Sequence, residues 1–180
     1  MKIIEALKKL NYLQEKAQDL RSKVKLNCAG MSAETPVYGD EQQTVIDGWR
    51  QSHSDILKEI TTIKIALQKT NLATQVTVEL SGKSVTKSIA EWLIRRGPGK
   101  LANGLICHER DMLKGLTDRN MKDAPYYPDP KDKDKIEMAR LIRYFSPKVR
   151  DEELAVLQEE PSLIDSALEI ANATTDLLGV

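Results

Sequence analysis

Three long apolar stripes organise this chain. Between positions 44 and 71, Ile46, Trp49, His53, Ile56, Ile60, Ile63 and Leu67 recur at alternating steps of three and four. That is heptad spacing, which keeps one face of a helix against a partner helix. Near the N-terminus the same spacing links Ile3, Ala6, Leu10, Leu13, Ala17, Leu20 and Val24. Near the C-terminus it links Leu154, Leu157, Pro161, Ile164, Leu168, Ala171 and Leu178, with Thr175 in phase. The stripes predict helices over 2–27, 44–71 and 150–177, lying together as an antiparallel, coiled-coil-like core.

Local signals bound these helices. In the first, Glu5 and Lys9 stand in the favourable order for a pair one turn apart, and its alanines allow close helix approach. Asn27 and Gly30 accept the left-handed backbone that ends a helix. Pro36 and Gly39 mark residues 31–43 as a linker, in which Asp40 is placed to cap the second helix. Ser146-Pro147 or Asp151 starts the last helix, and Pro161 should kink it by removing one hydrogen bond.

Between the second and third stripes the period changes. Residues 75–80, QVTVEL, alternate polar and apolar and predict a half-buried strand. Ser81-Gly82-Lys83 reads as a turn, and Ser84 or Thr86 as the cap of a short helix over 87–96, with Ile89, Trp92 and Leu93 on one side. Gly97 and Pro98 end it. Residues 100–119 read as a further helix, with Leu101, Leu105, His108 and Met112 on one face and Ile106, Leu113 and Leu116 beside it. Gly104 and Gly115 weaken that helix by about 1 kcal/mol each relative to alanine. Residues 120–135 hold three prolines (Pro125, Pro128, Pro130) and a charge run, and read as a surface loop. Residues 136–145 have helical composition, but the 75–80 strand needs a partner, which favours strand there. The expected fold is mainly α: a single domain with a three-helix core (1–71 and 146–180) carrying a small inserted α+β unit (72–145).

Composition narrows the function classes. Charged residues make up 30% and aromatics 4% of the 180 residues, which suits elongated helical packing better than a β-sandwich. The 27 basic and 27 acidic residues cancel, which argues against general nucleic-acid binding and leaves self-association unopposed by charge. Cys28 and Cys107 form no framework and predict free thiols in a reducing cytoplasm. The charged, amphipathic start MKIIEALKKL predicts no export leader, and no apolar run approaches the ~18 residues of a membrane span.

One stretch carries candidate chemistry of its own. In Arg95-Arg96-Gly97-Pro98-Gly99-Lys100, three cations flank a glycine-rich bend leading into a helix N-terminus. Backbone N–H groups and arginine forks of this kind can hold a phosphate or carboxylate. The GxxxxGK[ST] spacing of a phosphate loop is absent. The same residues also read as a helix end followed by a tight turn. Arg140, Arg143, Lys148 and Arg150 form a second basic set, which either joins such a pocket or pairs with Glu152 and Glu153. Cys107-His108-Glu109-Arg110-Asp111 has catalytic vocabulary, but adjacent helical residues do not face one another, and a Cys–His nucleophile needs an orienting third group. No catalytic residue, metal or cofactor is expected. His53 lies within the second stripe and reads as a core or interface residue. Trp92 reads as core, and Tyr126 and Tyr127 as loop anchors.

Taken together, a long first helix, a second ending IALQKTNLAT, the segment VTVELSGKSVTKSIAEWLIRR and a terminal IDSALEIANATTDLL resemble the septicolysin-type family of small bacterial and phage proteins. The corresponding positions are Thr70 and Asn71, then Gly82, Thr86 and Arg96, then Asn172, Thr174 and Thr175. Where that family usually has Arg followed by Asp, this chain has Arg96-Gly97. The resemblance implies a helical, oligomeric, often phage- or prophage-borne protein. The leading functional expectation is a homo-oligomer that sequesters a small anionic, nucleotide-like ligand at Arg95, Arg96, Gly97, Gly99, Lys100, Arg140 and Arg143, in the cytoplasm of a host cell. The second is a structural or assembly protein, such as a virion or scaffold component.

Overall fold

The computed structural model describes residues 1–97, 104–117 and 143–179. Five helices and one hairpin account for most of them, so the architecture is mainly α with a small α+β portion. The elements are α1 (Ile3–Asn27), a 3-10 turn (Gly39–Glu41), α2 (Gln42–Ala73), β1 (Gln75–Leu80), β2 (Lys83–Ser88), α3 (Ile89–Arg96), α4 (Leu105–Gly115) and α5 (Pro147–Thr174). None of the described helices is long and apolar enough to cross a membrane.

The chain divides into two compact units. The first holds Met1–Val76, Ser88–Ala90 and the chain from Leu168 onward. Here α1 and α2 form an antiparallel hairpin: Lys9 pairs with Glu59 at 2.6 Å, and Gln42 donates to the Asn27 carbonyl at 2.8 Å. The first two apolar stripes meet as their spacing predicts, burying Ile3, Ala6, Leu10, Leu13, Ala17 and Leu20 of α1 and Ile46, Ile56, Ile60, Ile63 and Leu67 of α2. Trp49 and His53 are half-buried in phase with them. The linker is closed by Gln42, whose side-chain oxygen accepts from the Tyr38 N–H, and by the edge of Tyr38 against Trp49 at 5.4 Å. The expected cap does not form: Glu41, not Asp40, occupies the cap position of α2, with no side-chain bond to the helix.

The two ends of the chain are clasped in this unit. Lys2 and Asp176 form an antiparallel bridge, with Ile3 N–H donating to the Thr175 carbonyl (3.1 Å) and Leu177 N–H to the Met1 carbonyl (2.8 Å). The Lys2 ammonium adds bonds to the Thr174 carbonyl and the Asp176 carboxylate, each 2.7 Å. Thr70 is fully buried; its hydroxyl donates to the Ala66 carbonyl and accepts the Leu178 N–H at 2.9 Å, tying the end of α2 to the C-terminal segment. The terminal stripe shifts by one place as a result: Leu177 is buried and Leu178 is half exposed.

The second unit comprises Thr77–Lys87 and Glu91–Ala167. Residues 83–88 are a strand rather than the start of the helix, so Ser84 and Thr86 are not caps. Strand β2 is the partner that β1 required, joined by a two-residue turn in which Ser81 (φ 50°) and Gly82 (φ 77°) are both left-handed. That is the turn whose twist suits a hairpin. Thr77 and Thr86 hydroxyls bond across the strands at 2.7 Å, and Ser84 donates to the Glu79 carboxylate. Residues 143–145 are not in a strand, and 136–142 lie outside the described residues. The division falls within the last helix, after Ala167, and Leu157, Ile164, Leu168 and Ala171 are its buried stripe.

Candidate functional site

The densest charge chemistry lies in the second unit, where α3, α4 and α5 converge on Arg95. On α3, Trp92 is fully buried, with the Lys87 ammonium 5.2 Å from its ring centre. Arg95 follows three residues later on the same helical face, which turns its guanidinium inward. Gly97 then takes a left-handed conformation (φ 80°), and its N–H bonds the Leu93 carbonyl at 2.9 Å, ending the helix.

Helix α4 is brought against this helix end by Gly104, its cap residue. A Cβ there would sit 2.3 Å from the Arg96 carbonyl oxygen and 2.6 Å from the Gly97 nitrogen, so only glycine permits the approach. On α5, Glu160 lies between Leu157 and Ile164 on the buried stripe and is 1% exposed.

Arg95 bonds carboxylates on both neighbours. Its Nε and Nη2 form a fork with Glu160, the Nη2–Oε2 bond being 2.8 Å. Its Nη1 and Nη2 form a second fork with Glu109, each bond 3.1 Å. The hydrogen bond to Glu160, and then that to Glu109, hold the guanidinium's pKa above its ordinary value. Four of its five N–H groups are therefore engaged, and one cation stands between two carboxylates. Arg96 pairs with Asp165 and bonds the Gly97 carbonyl at 3.3 Å.

These contacts change the picture of the bend. Arg95, Arg96 and Gly97 stand at the end of α3, but the guanidiniums face the chain's own carboxylates. A foreign anion at Arg95 would have to displace two of them from a locally negative cluster. Gly99, Lys100 and Arg140 lie outside the described residues, as do Tyr126 and Tyr127, and Arg143 is exposed ahead of α5. In the second basic set, Arg150 donates to the Leu116 carbonyl at 2.7 Å, pairs with Asp151 and stacks on Phe145, while Lys148 approaches Glu152 at 3.9 Å. The Cys107–Asp111 run is likewise dispersed. Glu109 faces Arg95, His108 is exposed, and the Cys107 sulfur accepts from Arg110 at 3.1 Å. Among the described residues no three potential ligands gather for a metal.

Sequence reasoning missed Glu109, Glu160, Asp165 and Gly104 as parts of this cluster. The one available signal was Glu160, a charge set within an apolar stripe. What fold and site define is a class: a mainly α protein in which one charged cluster joins three helices of the second unit. Compared with protein-family models, curated proteins and solved structures, the chain matches none.

Proposed function

We propose that this is a non-catalytic assembly protein that self-associates through its helix faces. The observation that carries this reading is the outer face of α2. Leu57, Ile65 and Leu72 are 46%, 47% and 67% exposed, and Thr61 and Gln68 fall between them at helical spacing. The Ile46–Leu67 stripe, about a third of the way round α2 from this face, is already covered by α1. A helix that is apolar on two faces gains by burying the second against another helix. Zero net charge opposes that little. The resemblance to the septicolysin-type family implies an oligomeric, often phage- or prophage-borne protein, with which a scaffold or virion component made in the cytoplasm is compatible.

Capture of a small anionic, nucleotide-like ligand by an oligomer is the second reading. Arg96 favours it, because its partner Asp165 is half exposed and exchangeable. Native mass spectrometry of protein taken directly from cells separates the two. Assembly predicts a defined oligomer of bare chains. Retained mass of nucleotide size, lost in Arg96→Ala, would replace assembly with ligand capture, and a bare monomer would contradict both.

A further inference from the structure

Within the second unit, α4 and α5 enclose a groove of about 320 Å³ lined by Glu109, Met112, Leu113, Glu153, Val156 and Leu157. Leu113 and Leu157 are buried and form its floor, while Met112 and Val156 stand at its lips, 63% and 38% exposed. The apolar track continues along α5: Val149, Val156 and Leu163 are all exposed and recur every seven residues. That interval returns a side chain to nearly the same face after two turns. The track spans about 21 Å at 1.5 Å per residue, the length of a four-turn helix laid alongside.

The charge of the groove selects the occupant. Its lining has two carboxylates and no cation. Behind Glu109, the single Arg95 cation is divided between Glu109 and Glu160, so that group keeps one negative charge. Glu153 has no ion pair among the described residues. Glu152 and Glu159 follow Val149 and Val156 by three residues each, so they flank the apolar track, and both are exposed. Two copies of α5 laid face to face in parallel would set these glutamates against one another, which disfavours a second copy as occupant. A helix with apolar residues every three or four positions, flanked by lysine or arginine, would fill the floor and neutralise the rim. Met112 suits the role, since its unbranched thioether adapts to an incoming side chain.

We propose that the α4–α5 groove docks an amphipathic helix of a partner protein whose apolar stripe is flanked by basic residues. This rests on the reading of the chain as an interaction protein and names a partner class for one of its faces.

The test titrates the full-length protein with a synthetic helical Leu/Lys peptide of four to five turns and with its Leu/Glu counterpart. Calorimetry and the methyl signal of Met112 are the readouts. The Leu/Lys peptide should bind and shift the Met112 methyl, and the Leu/Glu peptide should not. Val156→Lys should weaken binding at least about tenfold with the circular dichroism unchanged. Glu153→Gln, a change of charge but not of size at an exposed position, should weaken it severalfold. Equal binding of both peptides, or undiminished binding to both variants, overturns the proposal. So does a wild-type oligomer that dissociates on Val156→Lys, because a second copy would then be the occupant. Ile65→Glu keeps the two readings apart: it should abolish self-association through α2 while leaving peptide binding intact.

Discussion

Glu160 is the one carboxylate that α5 buries completely, and Arg95 makes that burial tolerable. A buried ion pair is weak evidence of net stabilisation, but removing one partner strands the other's charge at about 3–5 kcal/mol. Arg95→Met should therefore lower unfolding free energy by about that amount in urea titration. Arg95→Met combined with Glu160→Leu should recover most of it. Wild-type stability in the single variant would show that the cluster does not hold the unit. At the chain ends, the hydrogen bond from Lys2 holds the Asp176 carboxyl below its ordinary pKa. The folded pKa lies under the unfolded one, so the clasp contributes above the usual carboxylate range and weakens as pH falls through it. The protection factors of the Ile3 and Leu177 amides, with exchange corrected for its intrinsic slowing in acid, should fall on acidification in the wild type. In Asp176→Asn that protection should be lower from the start and lose much of its pH dependence.

At the scale of elements, close backbone approaches matter as much as apolar stripes. Gly104 admits α4 to the end of α3, so Gly104→Ala must push backbone from backbone. It should disturb the Arg95–Glu109 fork and lower the melting temperature, whereas Gly115→Ala, with open space around it, should not. The α1 and α2 stripes were readable because a heptad period is local information, and every seam position from Ile3 to Leu20 is buried. Strand β2 was not readable in KSVTKS. Its Ser84 and Thr86 are good cap residues, and only pairing with β1 gives them cross-strand partners in Glu79 and Thr77. The charged cluster was half readable. The sequence marks Arg95 as exceptional, but its partners lie 14 and 65 residues away, a relation that no helical period reports. The sequence suggested an anion for Arg95, and the fold supplies one from within the chain.

The whole molecule consists of two compact units, and its described surface still carries apolar residues at helical spacing. Helix α5 is continuous from Pro147 to Thr174 and runs across the division between them. The central claim is that the outer face of α2 is covered by another copy. Sedimentation velocity of the wild type and Ile65→Glu across a range of concentrations tests it most directly. The account predicts a defined oligomer for the wild type and a monomer of unchanged helicity for Ile65→Glu. A wild-type chain that sediments as a monomer throughout, or an oligomer indifferent to Ile65→Glu, would contradict it.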